Sequence, residues 1–414
     1  MLDIKFIREN PEIVKKSLER RGKDLISVDN LLEIDEQKRE LMTAIDKLKA
    51  ERNKVGKKPS QAEIVKLQTI KKEIETEEKK LAEIDHIYDE ILWELPNILS
   101  DDTPDGKSDK DNPEIKQVGE VRSFDFEIKD HLQIAEALDL VDFERAAKVA
   151  GSAFYYAKNQ LVLLDLALQK FALEKLFKKG FTLMATPDMA KDEVCHSTGF
   201  APRGDEAQIY SIEKQDLSLI GTAEITLAGY HRDEILAEDE LPKKYVGLSH
   251  CFRVESGSYG KYAKGLYRMH QFTKVEMFAF TRPEESEATH QEFLAIEEEI
   301  LQELEIPYRL VAICAGDIGA PYSKSFDIEA WVPSLGEYRE ITSTSNATDY
   351  QARRMNVRYK NAAGENKFVH TVNGTAMTNS RFPLAILENY QQADGSVAIP
   401  KALQEYCGFK KIIN

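Results

Sequence analysis

The 414-residue sequence predicts an α+β protein, with an N-terminal antiparallel helical hairpin ahead of a mostly antiparallel sheet flanked by helices. Three observations predict it. Two apolar seams of helical spacing lie on either side of a Gly/Pro turn in the N-terminal quarter. A polar Asp/Ser/Gly/Pro stretch then interrupts the chain. Beyond it, short β-branched and aromatic runs alternate with helical stretches.

The first seam places Leu31, Ile34, Leu41, Ile45, Leu48 and Val55 on one stripe, with Lys38 and Arg52 at the two positions that break it. After Gly56-Lys57-Lys58-Pro59-Ser60 a second stripe runs through Leu67, Ile70, Ile74, Leu81, Ile84, Tyr88, Ile91 and Leu95, interrupted by Glu77. Two such stripes joined by a short turn bury each other as an antiparallel coiled coil over about residues 29–95. At 1.5 Å per residue its arms would be roughly 40 and 50 Å long. Pro59-Ser60 suits the start of the second helix and Pro96-Asn97 its end. Residues 100–115 read as a linker between a domain at 1–99 and another at 116–414. In the latter, strands are expected at Val246–Val254, Phe272–Phe280, Tyr308–Cys314 and Phe326–Val332, and helices at Leu161–Lys179 and Glu284–Leu304.

Composition narrows the function classes. With 72 acidic residues against 56 Lys and Arg, the formal charge of −16 argues against general adhesion to nucleic acid. It leaves room for one basic patch. Between Lys47 and Lys58 stand six basic residues (Lys47, Lys49, Arg52, Lys54, Lys57 and Lys58) and one acid, Glu51. A local charge of +5 suits a phosphate backbone, although a solvated helix face has the same composition. Cys195, Cys251, Cys314 and Cys407 are too scattered for a zinc ribbon, a redox dithiol or a disulfide framework, and read as buried thiols. With no secretory leader and no apolar run of bilayer length, the expectation is a soluble cytoplasmic protein with no membrane partner. Neither a Gly-x-Gly-x-x-Gly turn nor a Walker loop is present, so a nucleotide would be held by other means.

Three charged clusters stand where a sheet should be apolar. In Cys251-Phe252-Arg253-Val254-Glu255, strand alternation puts Arg253 and Glu255 on one face. A Gly/Tyr-rich loop, Ser256-Gly257-Ser258-Tyr259-Gly260, and a second strand bearing Lys274-Val275-Glu276 follow. Arg253, Glu255, Arg268 and Glu276 together would suit ATP and an amino acid, with guanidinium groups on phosphate oxygens and carboxylates on amino groups. A plain cross-strand salt bridge is the alternative. In the second cluster, Tyr338 to Asn346, Glu340 and Ser343 could hold Mg²⁺ beside a triphosphate, or the segment is a strand ending in a Ser/Thr-rich turn. In the third, Asn373-Gly374-Thr375 precedes Arg381 and a helix at Pro383–Tyr390, where a cation gains nothing from the helix dipole unless an anion meets it.

These residues carry a resemblance that spans nearly the whole chain. Met1-Leu2-Asp3-Ile4-Lys5, Arg8-Glu9-Asn10-Pro11, the helical arm, Asp142 to Val149, Thr186-Pro187-Asp188-Met189, Thr222-Ala223-Glu224, Phe252-Arg253-Val254-Glu255 with Met269-His270-Gln271-Phe272, Gly336 to Arg354, and Leu387-Glu388-Asn389-Tyr390-Gln391 follow in order. The set resembles the seryl-tRNA synthetases of the bacterial class II type, and so implies an N-terminal tRNA-binding domain and a class II synthetase catalytic domain. The resemblance implies that L-serine reacts with ATP to give seryl-adenylate, and that serine then passes to the 3′ end of tRNA(Ser), and of tRNA(Sec) where that exists. It implies ATP contacts from Arg253, Val254, Glu255, Arg268, Phe272, Glu340, Ile341, Thr342, Ser343 and Arg381, with Arg253, Arg268 and Arg381 catalytic and Mg²⁺ on Glu340 and Ser343. It implies serine contacts from Thr222, Ala223, Glu224, Glu276, Asn373 and Thr375. It further implies a homodimer whose basic arm tip meets the long variable arm of the tRNA. Gly221 before the Thr-Ala-Glu triplet and Ala376-Met377-Thr378-Asn379-Ser380 depart from the family pattern, the first loosening its turn. A paralogue charging a non-tRNA acceptor and a non-catalytic coiled-coil RNA-binding protein are the alternative functions.

Overall fold

The structure, a computed structural model, describes residues 1–54, 60–200, 208–255 and 265–414. Its contacts divide the chain into two compact units, Met1–Ile98 and Leu99–Asn414.

The first unit contains α1 (Ile4–Glu9), α2 (Pro11–Arg20) and two long helices, α3 (Ile26–Asn53) and α4 (Gln61–Glu94). Ser60 starts α4 with a capping box, its backbone N–H donating to the Glu63 carboxylate at 2.6 Å. The long helices run antiparallel, as the ion pairs Lys38–Asp85 and Lys49–Glu78 require, each with 2.8 Å between charged atoms. Leu31, Ile45, Ile70 and Ile74 fill the seam, as expected. Lys38 interrupts it without loss because its ammonium lies 4.1 Å from the Tyr88 ring centre. Asp35, which the apolar pattern passes over, is buried at 2% exposure and accepts from Arg8 and Arg39. Val55 and the expected turn through Pro59 lie outside the described residues.

The stretch expected to be a linker is instead fastened to the second unit. Ser100 N–H and the Thr103 hydroxyl both donate to the Ser323 carbonyl, and Ala315 and Gly316 N–H donate to the carbonyls of Pro104 and Gly106. Glycine is required at 106, where a Cβ would come within 2.7 Å of Cys314. The composition suited a linker because these backbone groups bond in turns rather than ladders.

An eight-stranded sheet forms the centre of the second unit: β1 (Glu114–Val118), β2 (Thr182–Ala185), β3 (Lys243–Phe252), β4 (Gln271–Thr281), β5 (Tyr308–Ala312), β6 (Lys324–Val332), β7 (Glu337–Thr348) and β8 (His370–Thr378). Spatial order is β1-β5-β6-β7-β8-β4-β3-β2, and every pairing is antiparallel except β2 with β3. Around it lie α5 (Gln160–Lys178), α6 (Ala223–Ala228), α7 (Ser286–Glu303), α8 (Tyr350–Met355) and α9 (Arg381–Asn389). The helix α7 packs on β7 and β8, with Phe293, Ile296, Ile300 and Leu301 buried. Period-two alternation then leaves Ser343, Asn373, Thr375, Lys274 and Glu276 for the opposite face, where the site lies.

Three expectations are corrected. The strand ends at Phe252, so Arg253 and Glu255 are not alternate strand residues: Arg253 N–H donates to the His270 carbonyl, and Glu255 has φ +51°. The Ser/Thr-rich run after Glu340 is not a turn but the continuation of β7 to Thr348. The helix expected at Pro383–Tyr390 runs instead from Arg381 to Asn389. All four cysteines are free and buried, and among the described residues no helix is long and apolar enough to cross a membrane.

The seam predicts its own test. Replacing fully buried Leu31 by Ala should destabilise the first unit by roughly 2–4 kcal/mol. Met42→Ala, at an exposed position of the same helix, should change stability by less than about 0.5 kcal/mol. Urea unfolding of the full chain followed by circular dichroism distinguishes the two.

Candidate active site

On the open face of β4, β7 and β8 lies a cavity of about 330 Å³. Three local features aim its side chains. Thr222 caps α6, its hydroxyl accepting from Glu224 N–H at 3.2 Å, which turns Glu224 inward in the first helical turn. Arg381 occupies the first position of α9. Arg253 leaves the end of β3 with its Nε donating to the Gly221 carbonyl at 3.2 Å. A Cβ at position 221 would lie 3.1 Å from Ile209, a tight approach that glycine avoids.

One end of the cavity is cationic. Arg381 donates to Glu340 at 2.5 Å and lies over the Tyr267 ring at 5.2 Å. Arg268 donates to Glu255 at 3.0 Å, and the Arg253 guanidinium lies 5.2 Å from the Phe272 ring centre. Burial opposes ionisation of Glu340, but Arg381, with Arg253 and Arg268 near it, holds its carboxyl below the usual range. Burial, with Glu340 beside it, pushes the Asp327 carboxyl well up. This end suits a polyphosphate: three guanidinium groups line it together with the Phe272 ring.

The other end is a buried polar nest. Glu276, 2% exposed, receives Lys274 at 2.6 Å and the Thr375 hydroxyl at 3.3 Å. Glu224 accepts from Gln351 Nε2 at 2.7 Å, Asn373 Nδ2 at 2.9 Å and the Tyr322 hydroxyl at 3.0 Å. Burial and the neighbouring Glu276 charge raise the Glu224 carboxyl to about 7, against the pull of those donors and of Lys274. Two carboxylates with one lysine leave a net negative nest, matched to a small ammonium-bearing ligand.

The cavity brings together Thr222, Glu224, Arg253, Glu255, Arg268, Phe272, Glu276, Glu340, Ile341, Thr342, Ser343, Asn373, Thr375 and Arg381. Ala223 and Val254 do not line it. One residue along a helix is a 100° turn, so Ala223 faces the core beside Leu227, against Gly247. Val254 spends its N–H on the Gln208 carbonyl. Sequence reasoning missed Tyr267, Lys274, Tyr322 and Gln351. Lys274 carried a usable signal, a charge two residues from Glu276 within an apolar strand; Tyr322, in an ordinary Pro-Tyr-Ser string, carried none.

In the first unit, Lys47, Arg52 and Lys54 are exposed, while Lys49 is engaged by Glu78. Lys57, Lys58 and the loop Ser256–Gly260 lie outside the described residues.

Comparison with known proteins agrees with this geometry. Residues 1–99 match the seryl-tRNA synthetase N-terminal domain, and residues 209–390 the class II tRNA synthetase core domain of the G, H, P, S and T type. The chain is 51% identical to the serine–tRNA ligase of Dictyoglomus turgidum, over 100% of this chain and 99% of that one. It is 49% identical to the enzyme of Treponema denticola over all of both chains. Among solved structures, seryl-tRNA synthetase from Pyrococcus horikoshii complexed with ATP superposes with a TM-score of 0.94 at 44% identity, covering 100% of this chain and 99% of the other. The cytoplasmic serine–tRNA ligase of Naegleria fowleri in complex with AMP gives 0.88 at 34%, covering 100% and 98%. A helical-hairpin unit followed by a mostly antiparallel sheet with this charged cavity thus has full-length counterparts, and the chain belongs to the seryl-tRNA synthetase family of class II aminoacyl-tRNA synthetases.

Proposed function

We propose that the chain is a serine–tRNA ligase: it activates L-serine with ATP to seryl-adenylate and transfers serine to the 3′ end of tRNA(Ser), in the cytoplasm. The observation that carries this reading is one cavity with Arg253, Arg268 and Arg381 at one end and the Glu224–Glu276 nest at the other. Such a cavity can hold a nucleotide triphosphate and a small amino acid in line. The serine carboxylate attacks the α-phosphate already ionised, so no protein base is needed. Catalysis comes from orientation and from neutralising the charge that spreads over phosphate oxygens. Arg253 grips the α-phosphate, Glu255 accepts from the adenine amino group, and Phe272 and Arg381 enclose the ring. Arg268 stands near the γ-phosphate. Thr222, Glu224 and Glu276 bind serine, with Asn373 and Thr375 closing around its side chain.

Glu340 and Ser343 are the residues that fit Mg²⁺. Both are hard oxygen donors on the phosphate side of the cavity. Mg²⁺ takes one or two carboxylates and otherwise phosphate and water oxygens, which is what this pair beside a triphosphate would offer. When bound, it would supply further neutralisation of the triphosphate.

Two surfaces support the macromolecular part of the reading. On α5, Val162, Leu163, Leu166 and Phe177 are exposed, and Leu183 is exposed on the edge strand β2. Apolar side chains on one helix face beside a free strand edge suit a homodimer. Exposed Lys47, Arg52 and Lys54 at the end of α3 suit the backbone of the tRNA variable arm. A paralogue without a tRNA acceptor has no use for this arm. A non-catalytic RNA-binding protein has no use for an intact set of phosphate contacts.

Serine-dependent exchange between ATP and pyrophosphate, followed by charging of tRNA(Ser), tests the proposal; no exchange would refute it. Arg253→Ala should cost about 3 kcal/mol in the activation step, as loss of one charge-stabilising donor does, and a wild-type exchange rate would remove Arg253 from its role. The Glu224 carboxyl gives a pH prediction. Only its ionised form attracts the serine ammonium, so kcat/KM for serine should be level above about pH 7 and fall as pH drops through about 7. A profile flat down to about pH 5 would show that Glu224 does not carry the ammonium.

A further inference from the structure

Among the donors around Glu224, two are not used by the proposed reaction: half-buried Tyr322 and buried Gln351. The Tyr322 hydroxyl lies 3.0 Å from both Oε1 and Oε2 of Glu224. Gln351 Nε2 donates to Oε1 at 2.7 Å, and Asn373 Nδ2 donates to the same oxygen at 2.9 Å. The Glu224 carboxylate, when ionised, only accepts, so it takes the NH₂ end of the Gln351 amide, and the Thr371 hydroxyl donates to the Oε1 end at 2.8 Å. Gln351 and Thr371 are buried, so no water competes for these groups.

The donors are unequally shared. Among the described residues, Oε1 of Glu224 has three within reach and Oε2 only Tyr322, whose single proton serves one oxygen at a time. Glu224 lines the cavity, so the oxygen left under-filled is the one a ligand can complete. When an ammonium reaches Oε2, the Tyr322 proton turns to Oε1, and no buried donor loses its partner.

We propose that Tyr322 and Gln351 are positioning residues for serine recognition, which commit Oε1 of Glu224 to the protein and reserve Oε2 for the ammonium of the substrate. The inference rests on the serine–tRNA ligase reading and deepens it. It also fixes a direction for pH. The groups that face Glu224 are Tyr322 from the segment before β6, Gln351 from α8, Asn373 from β8, and Glu276 and Lys274 from β4. Glu276 opposes ionisation, Lys274 favours it, and the Tyr322 and Gln351 donors favour it too. Removing either donor therefore moves the loss of serine binding to higher pH.

The test compares wild type with Tyr322→Phe and Gln351→Met by serine-dependent ATP–pyrophosphate exchange, from about pH 6 to about pH 9. Each variant should raise KM for serine roughly tenfold near neutral pH, the effect of losing one bond to a charged group. The acid limb of the serine profile should shift upward in pH, so the deficit should shrink in alkaline buffer. KM for ATP and kcat should stay within about twofold. An unmoved limb, a deficit equal at every pH, or a parallel rise in KM for ATP would overturn the positioning roles. Should Tyr322→Phe fail to fold, Thr371→Val frees the Gln351 amide from outside the shell and should shift the limb in the same direction; no shift would overturn the proposal. Wild type that exchanges normally while the variants keep its profile sinks this inference alone, whereas wild type without serine-dependent exchange sinks it together with the reading beneath it.

Discussion

A sheet can carry charge on an inner face only where each charge meets a partner, and that constraint organises the catalytic unit. An isolated buried carboxylate or ammonium costs several kcal/mol even after relaxation. Here Lys274 answers Glu276, Arg381 answers Glu340, Arg268 answers Glu255, and neutral donors gather on Glu224. The partners come from different elements: β4, β7, β8, α6, α8 and α9 each contribute at least one. Correct packing of the whole unit is thus a condition for any of these charges to exist, and the charges in turn hold the elements in register.

The reverse face of the same strands obeys the same rule by the opposite route. Glu297, on α7, is fully buried, and burial pushes its carboxyl well above the ordinary range, which favours the neutral form. Its Oε2 accepts from the Thr342 hydroxyl at 2.8 Å. Its Oε1 would lie 2.8 Å from a Cβ at position 374, with the Thr344 hydroxyl 3.0 Å from the same point. Glycine between Asn373 and Thr375 is therefore a packing requirement, independent of any turn. It lets β8 lie close to α7 while its two neighbours face the cavity. The two faces of one strand are specified by unrelated chemistry, apolar and neutral behind, charged and paired in front.

What could be read in the sequence followed from periodicity and charge. The seams of α3 and α4 were legible because a stripe of Leu and Ile at helical spacing has few other uses, and Arg253, Glu276 and Glu340 stood out as charges among apolar residues. Three kinds of information were not legible. Asp35 lies off the apolar stripe, and only the approach of Arg8 and Arg39 makes its burial tolerable. Residues 100–113 have the composition of a linker, yet their backbone groups find partners more than two hundred positions away in sequence. Tyr322 and Gln351 are ordinary polar residues in their local strings and meet Glu224 only once three elements converge. Ala223 shows the converse: a triplet points to a site, but helix geometry sends its middle residue to the core.

The pairing at the cationic end also bears on the order in which the cavity can be filled. Arg381 and Glu340 pair at 2.5 Å, so a ligand that takes one away leaves the other's charge to be compensated. A triphosphate alone would draw Arg381 away and leave Glu340 without that countercharge beside Asp327, whose carboxyl is already pushed up. A divalent cation alone would meet Glu340 with Arg381 still against it, and like charges would repel. On the proposed reading, nucleotide and cation together would remove both objections, because the phosphates would pair with the guanidinium and Glu340 would hold the ion. If the proposed function holds, the charge balance of the cavity would therefore favour the metal–nucleotide complex over either component. That preference needs no special recognition of the complex, only the rule that a buried charge keeps a partner at every step.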